Sequence, residues 1–173
     1  SAASDVYKRQ IENNVRRTII KEHANDPAYY EKMSALLDEV IQFRKEQAGR
    51  YEEYLKRIAE LSKSVGEGHG AELPSKLDTP GKRALYNNLG RPTAPVATVD
   101  RVAERPVAPY GASDDPVLNL TLKVDQAVRR SRPDGWRGVQ AKENVIKTAL
   151  LPLLGSVEEV ERIFAIIKAQ REY

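Results

Sequence analysis

The chain contains no cysteine, and that one absence removes several classes of chemistry. No disulfide framework, thiolate zinc site, iron–sulfur cluster or cysteine nucleophile can be built from it. Histidine is nearly as scarce: His23 and His69 are the only two, too few for a histidine-based metal centre. No apolar run approaches the roughly 20 residues needed to cross a bilayer, and nothing resembles a signal peptide. Aromatic residues make up 6% of the chain, eight of them tyrosine. Neither sign of charge dominates. The 28 Lys and Arg stand against 25 Asp and Glu, and the net +3 is too mild to announce nucleic acid by itself. Large core side chains are in modest supply, because nineteen residues of the 40% hydrophobic share are alanine. What remains is a charge-rich chain of 173 residues, about one domain's length, expected to be helical, soluble and cytoplasmic.

The sequence starts at Ser1 rather than at a methionine, which reads as a fragment or a processed piece. Residues 1–10, SAASDVYKRQ, resemble translated adapter sequence from metagenomic reads and are set aside as a non-native or irregular lead. The alternative is an ordinary start to the first helix. From there the apolar spacing is helical, with Ile11, Val15, Ile19 and Ile20 in the first segment. Asp26-Pro27 is a helix start, an N-cap acceptor followed by a residue whose missing N–H costs nothing at N1. The stripe that follows carries Tyr29, Met33, Leu36, Leu37, Val40 and Ile41, and it resumes with Tyr51, Tyr54, Leu55, Ile58, Leu61 and Val65. A break near Gln47–Gly49 lets the two halves bury each other's stripes. Thr79-Pro80 and Asp115-Pro116 repeat the same start grammar.

Later helices are marked by Val117, Leu120, Val124, Ala127 and Val128, then by Val145, Ile146, Ala149, Leu150, Leu153 and Leu154, with Pro152 as a local disturbance. Ser156 with Glu159 is a capping box ahead of Val157, Val160, Ile163, Phe164 and Ile167. Between these regions, residues 91–113 hold four prolines and few large apolar groups, the composition of a linker or insertion. No strand-like alternation competes. The expected fold is all-α, an irregular bundle of about five to seven amphipathic helices. Its plan is a helical half over 11–90, the Pro-rich linker or insertion, and a C-terminal helical half over 114–173.

Signals for catalysis are weak. Ala35–Glu39, ALLDE, looks like the end of a nucleotide-motor strand, but the surrounding period is helical and no G-x-x-x-x-G-K-[ST] loop occurs. Neither E-x-K nor D-x-K, the common nuclease tripeptides, is present. The glycines at 66, 68 and 70 lead into Pro74 rather than a helix and read as a flexible joint. No nucleophile–base–orienter set can be assembled, so the chain is expected to be non-enzymatic, with no cofactor or metal.

One electrostatic feature stands out. Between 129 and 147, Arg129, Arg130, Arg132, Arg137, Lys142 and Lys147 oppose only Asp134 and Glu143, with the sole tryptophan, Trp136, among them. Three readings stay open. Trp136 can plug a helix seam while the arginines pair internally. Arg130, Arg132, Asp134, Trp136 and Arg137 can form a partner-binding hot spot. The basic segment can also serve a helical nucleic-acid-binding module through phosphate contact and base stacking.

Five blocks carry a family resemblance: IIKEHANDPAYYEKMSALLDEVI (19–41), YEEYLKRIAEL (51–61), LDTPGKRALYNNLG (77–90), RPDGWRGVQAKENVIK (132–147) and VERIFAIIKAQREY (160–173). In this order they resemble the C-terminal helical region of type I restriction enzyme R subunits, and the last resembles the natural end of that subunit. The stretch 91–113 departs from the pattern. The resemblance implies a parent that is an ATP-dependent, DNA-translocating deoxyribonuclease using ATP and Mg²⁺, whose nuclease and motor domains precede this region. For this chain it implies a non-catalytic role in bacterial defence, docking the R subunit on the modification (methyltransferase) and specificity subunits. DNA is then a partner of the full complex and only weakly or indirectly of this segment. No catalytic residue of the family has a counterpart here.

Overall fold

Pro27, Pro80 and Pro116 each open a helix in the computed structural model, which describes residues 2–70, 73–90 and 115–173. The Asp26 side chain accepts from the Tyr29 N–H, Thr79 from Lys82, and Asp115 from Val117 and Leu118. Each cap satisfies amides that have no partner inside the helix. The linker or insertion expected over 91–113 lies outside the described residues. The described residues are all-α, with seven helices: α1 (Ala2–Glu22), α2 (Pro27–Glu46), α3 (Tyr51–Glu67), α4 (Pro80–Leu89), α5 (Pro116–Ser131), α6 (Gln140–Leu154) and α7 (Val157–Ala169). A 3-10 turn, His23–Asn25, joins α1 to α2. None of these helices is long and apolar enough to cross a membrane.

Residues 1–73 form one compact unit, in which α1, α2 and α3 pack pairwise. Its core is the predicted stripe: Val15, Ile19, Tyr29, Met33, Leu37, Val40, Tyr54, Ile58, Leu61 and Val65 are all buried. Ile20, placed on the same stripe, is instead 70% exposed. At 100° per residue it lies roughly 100° around the helix from Ile19 and roughly 140° from Val15, off the face those two share. Residues 2–10 are not an irregular lead. They are helical, because α1 runs back continuously from Ile11 to Ala2. Glu12 is buried, and its carboxylate takes Arg44 in a two-point contact at 2.6 and 3.2 Å and the Tyr54 hydroxyl at 3.0 Å. A buried carboxylate is tolerated when its lone pairs are filled in this way.

Residues 74–173 form the second unit. Its helices close a ring: α4 packs on α5, α5 on α6, α6 on α7, and α7 returns to α4. The boundary therefore falls before Pro74 rather than at residue 90. The reason lies in α4 itself, whose Ala84 and Leu85 are buried with Val124, Val128, Ile146, Leu150, Ile163 and Ile167. On α5, Val124 and Val128 of the expected stripe are buried and Leu120 and Ala127 pack against the core, while Leu118 and Thr121 rather than Val117 complete the buried face. Val145 and Val157 are exposed, the latter by 66%.

Candidate functional site

The segment singled out for its charge and its tryptophan begins where α5 ends. Arg132 is extended, with φ −61 and ψ 121, and Pro133 follows, so the helix stops there. Gly135 at φ 61 and Gly138 at φ 78 then adopt left-handed backbone that a side chain disfavours. This path turns Trp136 back into the second unit, where it is 3% exposed. Its ring lies 5.7 Å from that of Phe164, and its Nε1–H donates to the main-chain oxygen of Tyr173 at 3.1 Å.

The arginines close on the same place. Arg132 Nη1 donates to the main-chain oxygens of Glu172 and Tyr173, both at 3.1 Å. Arg137 lies over the indole face at 4.5 Å and donates to the main-chain oxygens of Lys168 and Gln170. Arg129 reaches both oxygens of buried Asp125 at 3.2 Å and the Glu172 carboxylate at 2.8 Å. Its guanidinium also stands 5.0 Å from the centre of the Tyr173 ring. Tyr173 is 5% exposed and donates its hydroxyl to Asp125 at 2.5 Å; burial, then that bond, pushes its pKa up. The Gly81 N–H, in the first turn of α4, donates to the Glu172 carboxylate.

Nearby charges pair as well. Lys142 donates to the Asp134 main-chain oxygen at 2.6 Å, and Lys147 pairs with Glu161 at 3.0 Å. Lys168 and the Gly138 N–H hold the Glu143 carboxyl below the usual carboxylate range. Arg129, Arg132 and Arg137 of the basic segment thus clamp the chain's own residues 168–173.

Of the five predicted partner-binding residues, Trp136 and Arg132 are drawn inward. A hot-spot anchor must enter a partner's pocket, and Trp136 fills a seam of its own fold instead. Arg130, Asp134 and Arg137 remain exposed, although Arg137 spends its donors on main-chain oxygens. A pocket of about 310 Å³ opens beside them, lined by Arg132, Pro133, Asp134, Gly135, Trp136, Arg137 and Tyr173. Sequence reasoning missed Gly81, Asp125, Glu172 and Tyr173. Only Asp125 left a signal, one acid four residues before Arg129 on an amphipathic helix.

The other candidate signals are placed plainly. Asp38 and Glu39 lie within α2, where Asp38 pairs with Arg16 at 2.5 Å, so ALLDE is helix rather than strand. His23 stands 3.6 Å from Glu31, and His69 Nδ1 lies 3.1 Å from the Gly70 oxygen. The glycine joint begins later than its composition suggests, since α3 continues through Gly66 and is capped by Gly68. Comparison with known protein families, curated proteins and solved structures gives no match to this chain.

Proposed function

We propose that this chain is the C-terminal assembly domain of a type I restriction endonuclease R subunit, working in the cytoplasm. It is non-catalytic itself and docks the ATP-dependent DNA translocase and nuclease onto the methyltransferase core. The observation that carries this reading is the ordered run of five resembling blocks. Each coincides with a structural element: the end of α1 with α2, then α3, then α4, then the 132–139 turn with the start of α6, then α7 with its extended tail. ATP and Mg²⁺ belong to the parent subunit. The docking surface is assigned to exposed Asp134 and Arg137, which line the Trp136 pocket, together with exposed Arg130 in the last turn of α5. A rim of mixed charge suits a protein surface better than a uniformly negative duplex.

The test is capture of the full chain by an immobilised modification–specificity core from the same restriction locus. Retention is expected, with weakening on the paired charge reversal Arg130→Glu and Asp134→Lys at unchanged helicity. Absence of capture at micromolar concentration, with the chain folded, would overturn the reading. Duplex DNA is the counter-probe. Tight binding with a log–log salt slope near −0.9 per phosphate contacted would favour the nucleic-acid module instead.

A further inference from the structure

We propose that the groove bounded by the first turn of α4, the inner face of α5 and the 132–137 turn is a peptide-binding site. Its ligand is an extended segment carrying a carboxylate followed by an aromatic residue, and residues 170–173 occupy it in cis.

The argument rests on what the groove spends on those four residues. Helix α7 ends at Ala169, and Gln170 is already extended, with φ −79 and ψ 143. Beyond that point the held groups are the ones any extended peptide offers. Arg132 and Trp136 converge on main-chain oxygens of residues 172 and 173, and Arg137 on that of residue 170. Two side-chain positions are then read by chemistry. The Glu172 carboxylate is held between the Gly81 N–H and Arg129, a fixed amide and a guanidinium, which together select an anion. The Tyr173 ring is buried under Arg129, with Asp125 at the bottom of its slot accepting the hydroxyl. Gly81 leaves the space: a Cβ there falls on the Glu172 carboxylate and within 2.9 Å of the Tyr173 ring.

None of these contacts depends on the segment being joined to α7. A partner protein presenting an acidic residue followed by tyrosine makes the same set of bonds and competes with the chain's own tail. Arg132, the Nη2 groups of Arg129 and Arg137 and the α4 amide all direct donors at this segment, so an acidic, carbonyl-rich occupant is the one that matches them, which gives exchange a chemical selectivity. The proposal goes beyond the docking function above and does not rest on it.

The sole tryptophan sits on the groove and reports its occupancy. The full chain with Glu172→Ala and Tyr173→Ala vacates both side-chain positions, and the probe is the N-acetylated, C-amidated tetrapeptide Gln-Arg-Glu-Tyr. The variant's Trp136 emission is expected to shift red, and the peptide to reverse the shift saturably. A peptide with Gln in place of Glu is expected to bind about tenfold more weakly, the scale of one charge-assisted hydrogen bond. The wild-type chain is expected to resist the peptide, because its own tail acts at a millimolar-scale effective concentration. A folded variant whose emission ignores the peptide, or which binds the Glu and Gln peptides alike, overturns the proposal. Should the double variant unfold, Glu172→Gln alone weakens the tail while keeping Tyr173. A fluorescent form of the peptide must then bind that variant several-fold tighter than the wild type, and equal binding overturns the proposal.

Discussion

Trp136 and Tyr173, 37 residues apart, are joined by a 3.1 Å hydrogen bond from the indole N–H to the tyrosine main-chain oxygen. The bond sits at the meeting point of the α5–α6 turn, the α7 core and the extended tail. A truncated indole at such a position removes buried surface, leaves a cavity and takes from the Tyr173 oxygen one of its two donors, leaving Arg132 as the other. Trp136→Ala is therefore expected to destabilise the second unit by roughly 3–5 kcal/mol, read as a lower denaturant midpoint by circular dichroism. Arg130→Ala, on the exposed side of the same segment, should stay within about 0.5 kcal/mol of wild type. Equal, small effects from both would return Trp136 to the role of a free interface anchor.

Gly81 makes the second prediction, because two effects oppose each other there. Alanine in place of glycine inside a helix ordinarily gains about 0.5–1 kcal/mol. Here the added Cβ meets the Glu172 carboxylate and the Tyr173 ring. Glu172 can swing aside, but only by leaving the Gly81 N–H and the 2.8 Å contact with Arg129. The net expectation is a loss of about 1–3 kcal/mol, in the range of overpacked cores. A double-mutant cycle checks the cause, since most of that cost should vanish in a Glu172→Ala background.

Much of this architecture was legible in the sequence, for an identifiable reason. Cap signals are local: the acceptor and the amide it serves lie within four residues, with a proline between them after Asp26, Thr79 and Asp115, so these three and Ser156 all mark true helix starts. The break before Tyr51 was legible on the same scale. The allegiance of α4 was not, since its Leu85 packs against residues nearly eighty positions later. The clamp was hidden for a different reason. Trp136, Arg132 and Arg137 bind main-chain oxygens, and every residue carries one, so no side-chain pattern announces the partner. A basic cluster beside a tryptophan therefore leaves seam plug, partner interface and nucleic-acid contact all open in the sequence, and it is the fold that turns Trp136 inward.

The caps themselves are testable, and they should differ. Ser156 is exposed and serves only the Glu159 amide, so Ser156→Ala is expected to cost about 1 kcal/mol. Asp115 holds the Val117 and Leu118 amides and also accepts the Tyr86 hydroxyl from α4 at 2.7 Å. Asp115→Ala should cost about 2 kcal/mol, the cap plus one stranded hydroxyl. The Tyr86 bond, followed by the two amides, lowers the Asp115 pKa. A depressed carboxyl stabilises the fold above its unfolded pKa and loses that contribution as pH falls through the folded value. The difference between wild type and Asp115→Ala should accordingly shrink in acid, below the ordinary aspartate value of 3.8. A gap that stays constant from neutral pH into acid would exclude the carboxylate as its source.

Alkali should unfold the chain through its buried tyrosines. Burial first, then the nearby Tyr30, Asp26 and Glu67, raises the Tyr29 hydroxyl from 10.0 to about 12. Burial also raises Tyr54, with the Glu12 charge next, and raises Tyr173, with the Asp125 bond next. Each of these groups is therefore neutral in the fold at a pH where the unfolded chain already ionises it. A group with a raised folded pKa contributes its full stability below the unfolded value and loses it as pH rises through the folded one. For Tyr29 that window runs from 10.0 to about 12. Denaturant midpoints should fall steeply across it, and the share of tyrosinate absorbance that belongs to the buried tyrosines, beyond that of exposed Tyr7 and Tyr51, should rise together with the loss of helix rather than ahead of it. Tyr29→Phe forfeits the 2.7 Å bond to the Ser64 oxygen and starts less stable, yet its stability should decline less over the same window. A variant that declines as steeply as the wild type would show that Tyr29 ionises without resistance from the fold.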